Sequence, residues 1–134
     1  MKSLSASVLS GTTLDYAVAI AVGGFNIVKN PMGFELSVSQ SGYWIWGKED
    51  NDSYYRLIGQ DYSPSSDHQI GGALAETHCI SRVSLPDNKG WLASGLNAAG
   101  DVVEATGETS LIAAMRCYLI VVVGNEIKIP DSLL

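Results

Sequence analysis

The feature that most constrains the fold is an apolar, helix-periodic segment near the C-terminus, residues 110–123. Thr109 and Ser110 offer side-chain oxygens that cap a helix start, and Gly124-Asn125, with Pro130 beyond, ends the helix. Apolar side chains at spacings of three and four form one stripe: Leu111, Ala114, Met115, Tyr118 and Val122. The segment therefore predicts a C-terminal helix packed on the hydrophobic core.

A second helix is predicted for residues 10–24. Ser10 and the two threonines Thr12 and Thr13 provide N-cap oxygens, and Asp15 is expected in the first turn, where the helix dipole favours an anion. Gly23-Gly24 supply the left-handed backbone that ends a helix. Its apolar stripe consists of Leu14, Val18, Ala21 and Val22.

Between the helices the sequence predicts strands, because apolar and polar residues alternate over short stretches bounded by turn residues. In chain order these are 25–39 with a turn at 30–33, 43–46, 54–58 after a polar loop, 74–83, Trp91–Leu96 and 101–105. Residues 59–72 are the most irregular region. Segregated helices and strands predict an α+β fold, a compact antiparallel sheet with an N-terminal and a C-terminal helix, in a single domain over residues 1–134.

Charge excludes several function classes. The net charge is −6, and no basic block is present, which argues against binding nucleic acid through its phosphates. The longest apolar stretch carries Arg116 and is too short to span a bilayer, and Asp15 interrupts any secretory leader. We therefore expect a cytoplasmic protein without a membrane segment. Because only 16% of residues are charged, we also expect a homo-oligomer that buries apolar surface.

The cysteines predict neither a disulfide framework nor a metal site. Cys79 and Cys117 are too few for a scaffold, and neither lies in a CxxC pair, so both are expected as reduced thiols. His68 and His78 show no metal-ligand spacing with them, and His78 and Cys79 would face opposite sides of the predicted strand. We expect no metal and no cofactor.

The strongest candidate for a ligand site is the segment 61–72, which combines hydroxyls, a carboxylate, an imidazole and glycines in one irregular stretch. Such loops bind phosphate through hydroxyls and backbone N–H groups without positive charge. The alternative is a turn-rich connector whose serines bond to their own backbone. The candidate ligand-binding residues here are Tyr62, Ser63, Ser65, Ser66, Asp67, His68, Gly71 and Gly72.

Aromatic residues and one arginine extend this candidate site. Trp44 and Trp46 share one face of a predicted strand, and their rings are suited to stacking on a nucleobase, the alternative being core or subunit contact. Arg116 is suited to binding a phosphate, the alternative being a surface or ion-pair arginine. Ser66-Asp67-His68 resembles a triad in type, but adjacent residues rarely reach the required geometry, so no catalytic residue is predicted.

Three segments in the same order resemble a known family. They are Leu9-Ser10-Gly11 with residues 14–19, Tyr62-Ser63-Pro64-Ser65-Ser66-Asp67 with Gly71-Gly72, and residues 111–118 with 124–130. The combination resembles the NinX-like family of small bacteriophage proteins, also classed as a domain of unknown function. The chain departs from the family pattern at His68, usually an aromatic residue, and at Ser110, often proline. The resemblance implies phage or prophage origin and action in a bacterial host, but supplies no reaction.

The leading functional hypothesis is a non-enzymatic phage protein that binds and sequesters a small nucleotide-like molecule. An anti-defence role would make this molecule a host immune signal, such as a cyclic nucleotide or an ADP-ribose derivative. One alternative is a protein–protein inhibitor of a host defence enzyme. A further alternative is a nucleotide-acting hydrolase with Asp67 and His68 as acid and base.

Overall fold

The structure is a computed structural model that describes residues 2–23, 26–29, 43–49 and 52–133. In chain order the strands and helices are β1 (Lys2–Ser5), α1 (Gly11–Val22), β2 (Asn26–Lys29), β3 (Tyr43–Glu49), β4 (Asp52–Leu57), α2 (His68–Thr77), β5 (Ser81–Ser84), β6 (Trp91–Leu96), β7 (Val102–Gly107), α3 (Ser110–Val122) and β8 (Glu126–Ile129). Short 3-10 turns cover Ala6–Val8, Pro86–Asn88 and Asp131–Leu133. The predicted α+β class is confirmed, and the single-domain boundary stays a prediction.

The described strands form three antiparallel sheets rather than the one sheet that was expected. β1 pairs with β8, β2-β3-β4 form a meander, and β5-β6-β7 form a second meander. The β1–β8 pair places Lys2 opposite Ile129 and so joins the first strand to the last. Alternation of apolar and polar residues predicts that a strand is half-buried, but it does not predict which strand pairs with it. The pairing of β1 with β8 was therefore not predicted.

Helix α3 lies at the centre of the fold and packs against β6, β7, α1 and α2. It is therefore covered on more than one side, and its buried set is wider than the predicted stripe. Ala113, Cys117 and Leu119 are fully buried, whereas Val122 at the end of the stripe is exposed. Helix α1 is similarly enclosed, because all residues from Leu14 to Ala19 are buried.

The ends of α1 and α3 follow the predicted capping pattern with one exception. Thr109 Oγ1 accepts the Ile112 N–H at 3.1 Å, and Gly23 ends α1 with a φ of 72°. Ser10 occupies the N-cap of α1, but its side chain makes no capping bond. Instead the Thr13 hydroxyl donates to the Ser10 carbonyl oxygen at 2.7 Å.

The prediction of a strand over residues 74–83 is wrong. Helix α2 continues to Thr77, and β5 begins only at Ser81. His78 and Cys79 lie in the turn between them, where Cys79 has a φ of 54°, so they do not face opposite sides of a strand. Two adjacent glycines early in α2 lowered its apparent helix propensity, although Asp67 caps it.

The remaining predicted strands are present, with shifted ends. β3 and β4 extend the predicted hairpin to Glu49 and Asp52, so the polar loop between them is shorter than expected. β6 and β7 pair as predicted. β2 covers part of the segment 25–39, and the predicted turn at 30–33 and the alternation after it lie outside the described residues. Within the described part of the chain, no helix is long and apolar enough to cross a membrane.

Candidate anion-binding site

The three helices of the described residues, α1, α2 and α3, all begin at the border of one cavity of about 430 Å³. α1 contributes its first two residues, α2 its first residue and the end of the preceding turn, and α3 its cap and first turn. The lining residues are Gly11, Thr12, Asp15, Gly59, Ser65, Ser66, His68, Thr109, Ser110, Leu111 and Ile112. Because helix N-termini carry unsatisfied N–H groups and partial positive charge, this cavity is suited to a negatively charged group.

The turn that leads into α2 is held by its own backbone. The Ser63 carbonyl oxygen accepts the N–H groups of Ser66 at 2.9 Å and of Asp67 at 2.7 Å. The Asp67 carboxylate then accepts the Gln69 N–H at 2.9 Å and caps α2. Helix capping therefore explains the position of Asp67, and it leaves the turn serines and His68 beside the cavity.

Asp15 joins α1 to this turn from inside the protein. Its side chain is buried, with 2% of its surface exposed, and Oδ1 accepts the Ser65 N–H at 2.9 Å. Burial raises the pKa of the Asp15 carboxyl because it removes water from the charged form, and hydrogen bonds from the Ser65 N–H and hydroxyl partly offset this. The expectation that Asp15 stabilises the first turn was wrong, since that turn holds no acidic residue.

Sequence reasoning missed Asp15 as a residue of the site. A usable signal was its place in an otherwise apolar run, Leu14 to Val22, interrupted only by this carboxylate and the ring hydroxyl of Tyr16. A charged side chain in such a run is expected to be buried with a partner. The missing information was that the partner is Ser65, fifty residues away.

Two glycines allow the backbone to close around the cavity. Gly59 has a φ of 97°, and a Cβ there would lie 2.5 Å from Thr12 Oγ1 at the start of α1. A Cβ at Gly71 would lie well under 3.0 Å from the Pro64 carbonyl oxygen, so α2 rests directly on the preceding turn. Gly72, by contrast, has open space where a Cβ would be.

Arg116 holds two backbone segments together rather than lining the first cavity. Its Nε donates to the Leu9 carbonyl oxygen and its Nη1 to the Thr106 carbonyl oxygen, both at 2.8 Å. Burial lowers the pKa of Arg116, and the nearby charge of Glu108 partly offsets this. The guanidinium thus fixes the segment before α1 to the end of β7, and it lines a second cavity of about 420 Å³ together with Lys89.

The predicted aromatic residues lie elsewhere. Tyr62 is buried, and burial raises its pKa to about 12, with the charges of Tyr118 and Asp15 adding to the effect. It borders a separate hollow of about 290 Å³ beside α2. Trp44 is half-buried on β3 and lines none of the three cavities, and the Trp46 side chain lies outside the described part.

The structure therefore brings together part of the predicted site. Ser65, Ser66 and His68 line the first cavity, whereas Ser63, Asp67 and Gly71 shape the turn and helix that carry them. Arg116 and Tyr62 line other cavities. The first cavity's lining from α1 and α3 was not predicted, because those residues are distant in sequence.

Two of the four residues considered for metal binding, His78 and Cys117, make packing or hydrogen-bond contacts, whereas His68 lines the first cavity and Cys79 is exposed. The His78 ring packs edge-to-face on Tyr118 with centroids 4.9 Å apart, and the Cys117 thiol donates to the Val103 carbonyl oxygen at 3.7 Å. Burial raises the pKa of Cys117 to about 11, and both cysteines are free. Among the described residues, no three His, Cys, Asp or Glu side chains cluster as metal ligands.

Fold and cavity together define a small α+β protein with three helix N-termini at one cavity. The family described as Bacteriophage P22, NinX matches residues 5–121, so the chain belongs to this phage family. The resemblance inferred from the three sequence segments is confirmed. The match covers every residue that lines the first cavity. No curated protein matches the chain.

Proposed function

We propose that the protein binds and sequesters a small nucleotide-like molecule without changing it, holding an anionic group where α1, α2 and α3 begin. The observation that carries this proposal is that three helix N-termini border one cavity. Five hydroxyl side chains line it as well: Thr12, Ser65, Ser66, Thr109 and Ser110. These groups provide hydrogen-bond donors for phosphate oxygens in a chain whose net charge is −6.

Cavity size and the buried carboxylate favour a nucleotide over a simple ion. A volume of about 430 Å³ falls within the range of roughly 300–1,000 Å³ typical of small-molecule sites. No lysine or arginine appears among the described lining residues, so the anion is to be held by neutral donors. Asp15 adds an acceptor, which suits a sugar hydroxyl or a base N–H next to the anionic group.

Membership in a phage family supports the biological part of this proposal. A phage protein that removes a signalling nucleotide from solution would act against a host defence, in the cytoplasm of the infected bacterium. A cyclic nucleotide or an ADP-ribose derivative carries the phosphate and the hydrogen-bond donors that the cavity suits. Binding alone is sufficient for this role, and it needs no catalytic residue.

Homo-oligomer formation stays a prediction. We propose the outer face of the β5-β6-β7 sheet as the surface through which two copies of the chain would contact each other. The strand register places Val83, Leu96 and Val102 on the face opposite α3, and all three are more than half exposed. Exposed apolar residues on one sheet face are typical of a contact surface. The same face supports the second candidate function, which is inhibition of a host defence enzyme by direct contact.

The proposed site can be tested by placing a carboxylate at the start of α3. Ser110→Asp is expected to stabilise the fold by about 0.3–1 kcal/mol, because an acidic residue suits a helix N-terminus. The same carboxylate should repel an anionic ligand and lower its affinity by about tenfold or more. Ala98→Asp, in the exposed turn between β6 and β7, adds equal charge away from the cavity and serves as the control.

Calorimetric titration with AMP, cyclic AMP, cyclic di-AMP and ADP-ribose measures the affinities, and urea unfolding measures the stabilities. The proposal fails if none binds the unmodified protein at micromolar concentration, or if Ser110→Asp binds as tightly as the unmodified protein. Mass spectrometry of the ligand released by denaturation tests sequestration. A chemically altered ligand would contradict it and favour the hydrolase alternative.

A further inference from the structure

We infer that the bound molecule carries two separate phosphoryl groups, the second held by Arg116 and Lys89 in the cavity adjoining the three helix N-termini. This inference rests on the proposed function and narrows its ligand class. The second cavity measures about 420 Å³, nearly the size of the first. Its lining consists of Asn88, Lys89, Gly90, Thr106, Gly107, Glu108 and Arg116.

The charge of the second cavity differs from that of the chain as a whole. Lys89 and Arg116 are two of only eight basic residues in a chain with fourteen acidic ones. Glu108 is the acidic residue in this lining, so the three charged side chains together carry a net positive charge. An acidic protein that places two of its few cations at one cavity offers a local site for an anion.

The guanidinium of Arg116 is preorganised to bind such an anion. A guanidinium has five N–H donors, and two of them bind the carbonyl oxygens of Leu9 and Thr106. These bonds fix the plane of the side chain before any ligand arrives, which lowers the entropy lost on binding. The three remaining N–H groups make no other hydrogen bond to the described residues and are available to phosphate oxygens.

The two cavities are neighbours across a single turn of backbone. Gly107 and Glu108 line the second cavity, and the next residues along the chain, Thr109 and Ser110, line the first. A Cβ at Gly107 would lie 2.6 Å from the Ala113 backbone nitrogen, so this turn is pressed against α3 and has no side chain at its tightest point. One elongated ligand can therefore place a phosphoryl group on each side of the turn.

Arg116 also couples the two cavities through Leu9. Leu9 lies two residues before Gly11, which lines the first cavity at the start of α1. The guanidinium that would bind the second phosphoryl group thus positions the helix start that would bind the first. The geometry therefore favours two phosphoryl groups separated by sugars, as in a cyclic dinucleotide, over the directly linked pyrophosphate of an ADP-ribose derivative.

Cyclic AMP against cyclic di-AMP is the ligand pair that tests this inference, and AMP against ADP-ribose is the control pair, because a pyrophosphate cannot reach both cavities. Cyclic di-AMP is expected to bind about tenfold more tightly than cyclic AMP. Lys89→Ala should weaken the binding of cyclic di-AMP about five- to tenfold and leave that of cyclic AMP unchanged. Lys89 is exposed, so its replacement should not disturb the fold. Lys128→Ala on β8 is the control, because it removes an equal charge from a residue that does not line the second cavity.

The outcomes separate this inference from the proposed function. The inference of a second phosphoryl site is overturned if cyclic AMP and cyclic di-AMP bind with equal affinity, or if Lys89→Ala weakens both equally. It is also overturned if Lys128→Ala weakens cyclic di-AMP as much as Lys89→Ala does. If one-phosphate ligands still bind and Ser110→Asp still weakens their binding about tenfold or more, the first cavity remains the ligand site. If no probe binds the unmodified protein, both the inference and the proposed function are wrong.

Discussion

The adjacent glycines of α2 provide the sharpest test of how this site is built. Both were candidate ligand-binding residues, but their surroundings differ. A Cβ at Gly71 would fall well inside contact distance of the Pro64 carbonyl oxygen and 3.1 Å from Leu111 Cδ2, whereas a Cβ at Gly72 would meet nothing within 4 Å. Gly71→Ala and Gly72→Ala are therefore the same chemical change in the same helix, with opposite expected effects on stability.

The magnitudes follow from two opposing effects. Replacing glycine by alanine inside a helix favours folding by about 1 kcal/mol, because it reduces the freedom of the unfolded backbone. Overpacking costs about 1–3 kcal/mol, and the upper end applies at Gly71 because the obstacle is backbone rather than a flexible side chain. We expect Gly72→Ala to gain about 1 kcal/mol and Gly71→Ala to lose about 1–2 kcal/mol.

Urea and thermal unfolding of the two variants measure this difference directly. A gap of about 2–3 kcal/mol corresponds to roughly 6–12 °C in Tm for a domain of this size. Gly71→Ala should also weaken ligand binding, because Pro64 adjoins Ser65 and Ser66, which line the first cavity. If Gly71→Ala is as stable as Gly72→Ala, then Gly71 of α2 does not lie against the Pro64 carbonyl oxygen.

Two further predictions concern buried polar groups around the site. Arg116→Ala should lower the free energy of unfolding in urea by about 2–3 kcal/mol, because the Leu9 and Thr106 carbonyl oxygens lose charged donors. Arg116→Lys should recover less than half of this, since an ammonium lacks the planar fork, and full recovery would contradict the assigned role. Burial raises the pKa of Asp15, so its contribution is fully present below its ordinary pKa of 3.8 and is lost as the pH rises through the raised value. Asp15→Asn should keep the bond from the Ser65 N–H and flatten the fall in unfolding free energy as the pH rises above 3.8, and an unchanged pH profile would show that burial does not raise the Asp15 pKa.

Local signals in the sequence were sufficient where a short stretch of chain decides the structure. The Thr109 cap and the left-handed Gly23 fixed the start of α3 and the end of α1, because capping depends on residues within one turn. Pairing of β6 with β7 followed from alternation around a short turn. Three short segments, within residues 9–19, 62–72 and 111–130, were also enough to indicate the phage family.

Helix α2 shows where local reasoning failed. Its two glycines indicate a loop by propensity, yet Gly71 is present because only a residue without a side chain fits against Pro64. That requirement depends on the packing of the helix against its preceding turn. The helix over His68–Thr77 can therefore be predicted only if the contact between Gly71 and Pro64 is known.

The sequence alone determined that α1 and α3 are helical, where α1 ends and α3 begins, and which turn carries serines and a histidine, since these depend on neighbouring residues. Tertiary structure decided that α1, α2 and α3 all begin at one cavity, that Asp15 binds Ser65, and that Arg116 joins Leu9 to Thr106. The bond between Asp15 and Ser65 joins residues 50 positions apart in the chain, and the bond between Arg116 and Leu9 joins residues 107 positions apart. Periodicity and propensity carry no information over such separations, because distant contacts are selected by the packing of the whole core.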